Sequence, residues 1–254
     1  SSDWSSDVCS SDLLYFNDKS GVNLTGETDK GYHVHFSENI IVTSFEGDEI
    51  VMHGKYVKVT PHSAQVIGFY KFAITNLMLN GSFDLDLNGY KLSIVPVENY
   101  SDIIKELKTS KEIAVTCEIK IEAGPTTEKS EVIELINDIC LLLTLIRGCR
   151  ICWLYYDLID INGNTLESFH GNAITKPYGN LPLISTDDAE ETKVFIQKTY
   201  LNFSNSKEFW DLRKAIEAFT DAKVEGDFLE SRALKAVIVI EHLKSQYLKQ
   251  SENE

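Results

Sequence analysis

The chain has 254 residues, 43% of them hydrophobic and 25% charged, with 39 acidic against 24 basic side chains and a formal charge of −15 at pH 7. That length suits one large domain or two small ones and can bury a core without staples; five Pro and 14 Gly exclude a collagen-like or low-complexity chain. The negative field disfavours nucleic-acid or anionic-membrane binding by the general surface, and four scattered arginines (Arg147, Arg150, Arg213, Arg232) make no phosphate-reading stripe.

Ser-Ser-Asp recurs at residues 1–3, 5–7 and 10–12, and Ser6–Leu13 resembles a translated sequencing adapter. Residues 1–13 are therefore set aside as an artefact or tail. Short runs rich in β-branched and aromatic residues follow: Val34–Phe36, Ile40–Ser44, Ile50–Met52, Tyr56–Thr60, Ala64–Phe69 and Tyr70–Leu79. Ser82–Leu87 alternates apolar Phe83, Leu85 and Leu87 with polar neighbours, which predicts one buried and one wet face. Tyr90–Val95 comes next. Asn80-Gly81 and Asn88-Gly89 supply the positive φ that tight hairpins need. Tyr100–Thr109 reads as a helix capped by Ser101, and Glu112–Glu122 as a strand. Residues 14–125 are thus expected to form an antiparallel β-sandwich or open barrel.

Gly124-Pro125 breaks the pattern, and there the period changes. Residues 126–254 read as a helical module with an inserted β-hairpin at 150–174, so the fold class is α+β. Glu131–Arg147 is a broadly apolar helix that Gly148 should end. Arg150–Ile161 and Thr165–Ile174 flank an Asn162-Gly163 turn. Three helices then follow. Asp187–Phe203 starts behind Ser185 or Thr186, and Lys207–Lys223 behind Ser206. In Phe228–Lys249, Asp227 with Glu230 fits a capping box, and Ala233, Val237, Ile240, Leu243 and Tyr247 predict a broad buried face.

Motifs with chemistry are few. Asp84-x-Asp86-x-Asn88-Gly89 begins like a calcium loop, but its twelfth position is Val95 and strands flank it. Cys149-x-x-Cys152 is half a zinc site, and with Cys117 and Cys140 it reads as core thiols in a reducing compartment. His33-x-His35 puts two imidazoles on one strand face without completing a ligand set. No metal and no cofactor is expected. Asp157, Asp160, Glu167 and His170 are candidate acid–base groups around the hairpin, which would act as a hydrolase only by converging in one pocket. Tyr70, Phe72, Trp153, Tyr155 and Tyr156 are candidate liners of a glycan- or peptide-binding groove, an alternative to core packing.

From about residue 128 to 249 the chain resembles ApeA-like abortive-infection proteins with a helical module of the HEPN type. The likeness rests on a Leu-rich helix ending Arg147-Gly148, the Trp153 and Tyr155-Tyr156 strand, Thr175-Lys176-Pro177, Leu181-Pro182-Leu183, Trp210, and a last helix with Glu230, Arg232 and Glu241-His242-Leu243. It implies RNA cleavage in phage defence by an Arg followed, after four to six residues, by His. None of the four arginines is followed by His at that spacing, so no catalytic residue carries over. The expectation is a fragment of a defence-type protein acting as a non-catalytic recognition or assembly part. It would meet a protein partner or self-associate through the helical module. The longest apolar runs, Ile139–Leu143 and Ala236–Ile240, cannot span a bilayer, and with no secretory leader a cytoplasmic location is expected.

Overall fold

A computed structural model describes residues 24–27, 33–37, 41–46, 49–53, 56–60, 66–110, 112–124, 126–171, 188–223 and 229–251. The β-branched runs fold as β1 (Leu24–Glu27), β2 (His33–Ser37), β3 (Ile41–Glu46), β4 (Glu49–His53), β5 (Tyr56–Thr60), β6 (Ile67–Thr75), β7 (Phe83–Leu87) and β8 (Tyr90–Pro96). After α1 (Tyr100–Ser110) and β9 (Val115–Glu122) come α2 (Lys129–Arg147), β10 (Trp153–Asp160) and β11 (Thr165–Gly171). The chain continues with α3 (Ala189–Ser206), α4 (Leu212–Ala222) and α5 (Leu229–Ser251).

The fold is α+β. Nine strands make one antiparallel sheet in the order β1-β2-β5-β11-β10-β6-β9-β8-β7, and β3 with β4 forms a separate hairpin. The large sheet is open, ending on β1 and β7. The β10–β11 hairpin, flanked by helices in sequence, lies within this sheet in space; residues 172–174 of the expected hairpin lie outside the described residues. Tyr156 stands opposite Phe72 and Leu158 opposite Tyr70, while His170 pairs with Val57. Hydrogen bonding therefore joins strands from both sides of residue 125, and one buried core runs from Tyr70 through Ile119 and Ile139 to Ile216. Alternation marks a strand but does not name its partner, because pairing is non-local.

One face of the central sheet is apolar. Phe72, Ile74, Ile94, Ile119 and Ile121 are all fully buried. α2 packs over β10 and also touches α3 and α4. Its buried residues lie on nearly every side, which suits a helix enclosed by a sheet and other helices. Gly148 ends it at φ 69°, donating its N–H to the Thr144 carbonyl. The Asn88-Gly89 turn has φ 52° and 81°, the double positive φ of a tight hairpin.

Several local expectations are corrected. β6 is one nine-residue strand rather than two, and Asn80-Gly81 does not turn a hairpin; Asn80 instead bridges Asp188. Ser101 lies inside α1, whose first amide acceptor is the Asn99 carbonyl. α3 is capped by the Asp188 carboxylate, which accepts from the N–H groups of Glu190 and Glu191; Ser185 and Thr186 lie outside the described residues. Ser206 ends α3 and donates to the Asn202 carbonyl, so α4 starts only after Asp211. Asp227 lies outside the described residues.

Candidate functional site

Strand alternation and register sort the sequence candidates onto opposite faces of the sheet. Tyr156 and Phe169, facing one another across β10 and β11, lie on the α2 side with Glu167. Asp157 and His170 project from the other side. There Asp157 accepts a hydrogen bond from Ser168 Oγ at 2.5 Å and has Lys71 Nζ at 3.8 Å, while His170 stacks on Tyr155 with ring centres 5.0 Å apart. Asp160 ends β10 and turns its side chain into the following turn. Its carboxylate accepts the N–H groups of Asn162 (2.8 Å) and Asn164 (2.7 Å) and the Asn164 side-chain amide (3.0 Å). Burial would push this carboxyl up, but these donors outweigh it and hold it below the usual range. The four candidates thus do not converge in one pocket; each is absorbed by a different local structure.

Glu167 is the most heavily engaged of them. Lys129 Nζ lies 2.6 Å and Lys58 Nζ 3.1 Å from its oxygens, and Tyr156 donates its hydroxyl at 2.6 Å. Burial raises the Glu167 carboxyl, and the lysines and Tyr156 more than reverse that. Desolvation, with the adjacent Glu167 carboxylate, drives the Tyr156 hydroxyl far above its ordinary value. Lys129 also stands over the rings of Tyr156 and Phe169, 5.1 and 5.5 Å from their centres. The cluster stitches β5, β11 and the start of α2 to the sheet core.

Four of the five aromatic candidates, Tyr70, Phe72, Trp153 and Tyr156, pack against one another. Tyr70, Phe72 and Tyr156 are buried. Phe72 meets Trp153 edge-on, and the Trp153 indole N–H donates to Asn137 of α2 at 2.9 Å. Tyr155 lies on the opposite face. Tyr70, Phe72, Trp153 and Tyr156 fill the space beneath α2. The thiols are likewise internal: Cys117, Cys140 and Cys149 are buried and Cys152 is half-buried. Burial pushes the Cys117 thiol up to about 12 and raises Cys140 and Cys152 as well, away from nucleophilic character.

The helices carry a second charged constellation. Asp138, in the middle of apolar α2, is buried, and Lys207 meets both its oxygens at 2.9 and 2.8 Å. Lys207 also reaches Glu134 at 2.6 Å. Burial raises the Asp138 carboxyl, and Lys207 only partly offsets this. Burial also lowers the Lys207 ammonium, while Asp138 and Glu134 outweigh it and hold it above its usual value. Clefts of about 780 and 580 Å3 open on either side, sharing Glu134 and Asp138. Tyr90 donates to Glu131 at the second and is pushed up to about 12, chiefly by that hydrogen bond. The sequence signal for this pair was an acid inside an apolar helix, which demands a cation.

α5 presents the least expected surface. Its half-buried side mixes apolar Val239 and Leu243 with polar groups that meet α4: Arg232 Nε donates to the Ala222 carbonyl at 3.1 Å and Lys235 Nζ to the Asp221 carbonyl at 3.4 Å. Both cations serve the last turn of α4, where carbonyls lack helical donors. His242, too, turns toward Asp211, at 4.0 Å, and does not share a site with Arg232. Of the apolar residues expected to be buried, Val237, Ile240 and Tyr247 are exposed and Leu243 is half-buried; Leu234 and Ile238 are exposed beside them. Leu234 is 62%, Val237 53%, Ile238 53%, Ile240 63% and Tyr247 61% exposed.

Among the described residues, no group of three or more His, Cys, Asp or Glu side chains could hold a metal ion, and no helix is long and apolar enough to cross a membrane. A family model described as the YopA central domain matches residues 62–180, a span that runs from before β6 to beyond β11. No curated protein and no solved structure gives a match.

Proposed function

We propose that this chain is a non-catalytic recognition and assembly part of a prokaryotic phage-defence-type protein acting in the cytoplasm. The observation that carries the reading is the exposed apolar surface of α5, a 23-residue helix that sets Arg232 and Lys235 against α4 and turns most of its large apolar side chains outward. Exposed apolar area of this kind is costly in water and marks a binding surface. The resemblance over residues 128–249 supplies the defence context. Asp157, Asp160, Glu167 and His170 each have structural partners, which fits a scaffolding role.

A phage challenge of bacteria expressing the gene for this chain tests the reading. The Val237→Asp/Ile238→Asp double variant should lose protection while the protein still accumulates in folded form. Undiminished protection would overturn the assembly role. RNA cleavage by the purified chain would overturn its non-catalytic character.

A further inference from the structure

The outward surface of α5 has a definite pattern. Leu234, Val237, Ile238, Glu241 and Lys244 recur at i, i+3, i+4, i+7 and i+10, one side of a helix. Glu241 and Lys244 are about 60% exposed and set opposite charges three residues apart within an otherwise apolar stretch. We infer that α5 packs antiparallel against α5 of a second copy, which rests on the assembly reading above and names its partner. An antiparallel two-fold pairing is self-complementary for such a charge pair. It sets Glu241 of each copy against Lys244 of the other and, in the same register, Val237 against Leu248. A parallel pairing would set like charges side by side.

The area is adequate for a reversible dimer. In this register the helices overlap from residue 234 to 251, about 27 Å of helix. Two such faces bury on the order of 1,000 Å2 in total, the lower end for specific association, which suits a weak, reversible dimer.

Sedimentation equilibrium of the purified chain tests this through charge exchange. The wild type should dimerise with micromolar Kd. Glu241→Lys and Lys244→Glu should each weaken self-association about ten-fold or more, because each sets like charges across the pair. An equimolar mixture of the two variants restores both opposite-charge contacts and should recover dimer to within about three-fold of wild type. Both changes sit on the exposed side of α5, and unchanged circular dichroism would show that the fold is intact. A wild type still monomeric at about 200 µM, or a mixture with no recovery, overturns the pairing. If such a monomer nevertheless needs Val237 and Ile238 in the phage challenge, self-pairing falls while the assembly reading stands with another occupant, whether a different protein or another segment of this chain.

Discussion

Glu167 and Asp138 solve the same problem in two ways. Each is a carboxylate drawn into the protein, and each is kept there by a lysine distant in sequence. Around Glu167, the hydroxyl of Tyr156 donates to a charged acceptor, so Tyr156→Phe should cost about 2 kcal/mol in urea unfolding while both lysine contacts persist. The pH profile carries two signs. Glu167 is lowered in the folded state, so its contribution is present above the ordinary glutamate value of about 4.3 and is lost as pH falls through the folded value. Tyr156 is raised, so its contribution is whole below about pH 10 and declines as pH rises further; Tyr156→Phe should abolish that alkaline limb. Removing the cation at the other pair is harsher. Lys207→Met leaves Asp138 charged and buried and should cost about 3 kcal/mol at neutral pH, whereas Asp138→Asn in the same chain should recover much of the loss. Because burial raises the Asp138 carboxyl, the single-variant deficit should shrink as pH falls from neutral toward about 4, where the folded state takes up the proton first, and should change little below that. Tyr156 and Glu167 both stood out in the sequence. Their roles did not, because Lys58 and Lys129 meet them only through strand register and helix docking.

Elements with local signals were legible, and those defined by their neighbours were not. Asn88-Gly89 and Gly148 announce a hairpin and a helix end, since few other residues adopt positive φ without strain. Gly68 carries no such signal, yet a Cβ there would lie 2.9 Å from the Asp160 carbonyl carbon and oxygen, where β10 shifts register against β6. Gly68→Val should therefore cost about 2 kcal/mol or more by forcing two backbones apart. Gly89→Ala, with open space around it, should cost only about 1 kcal/mol of left-handed strain. A urea midpoint no lower for Gly68→Val than for Gly89→Ala would refute the close-approach argument. The boundaries of α3 and α4 shifted for a related reason. Asp188 and Ser206 are both competent caps by type, and only the folded turn at residues 207–211 decides which amides need one. In α5 the helical period is plain in the sequence, but period alone cannot say which side of a helix the rest of the protein occupies. Arg232 and Lys235 took the inner side because the end of α4 offered them carbonyls.

At the scale of the whole molecule, the sheet ties the two halves of the chain together. β6 pairs with β9 on one edge and β10 on the other, so a chain stopped at residue 125 would lose β10 and β11 and lay Phe72 and Tyr70 open to water. Residues 14–125 expressed alone should bind a hydrophobic dye and unfold without a cooperative transition; a sharp thermal transition would instead mark residue 125 as a true domain boundary. The amino-acid sequence by itself determined the class of the fold, most of its strands, the central helix and two of its three Asn-Gly turns, all of which follow from periodicity and backbone sterics within a few residues. Only the tertiary structure decided that the late hairpin enters the sheet between β5 and β6, that the candidate acids scatter over two faces and a turn, and that α5 turns its apolar side outward. Those outcomes depend on which distant surfaces meet, and burial, unlike periodicity, belongs to the pair and not to the segment.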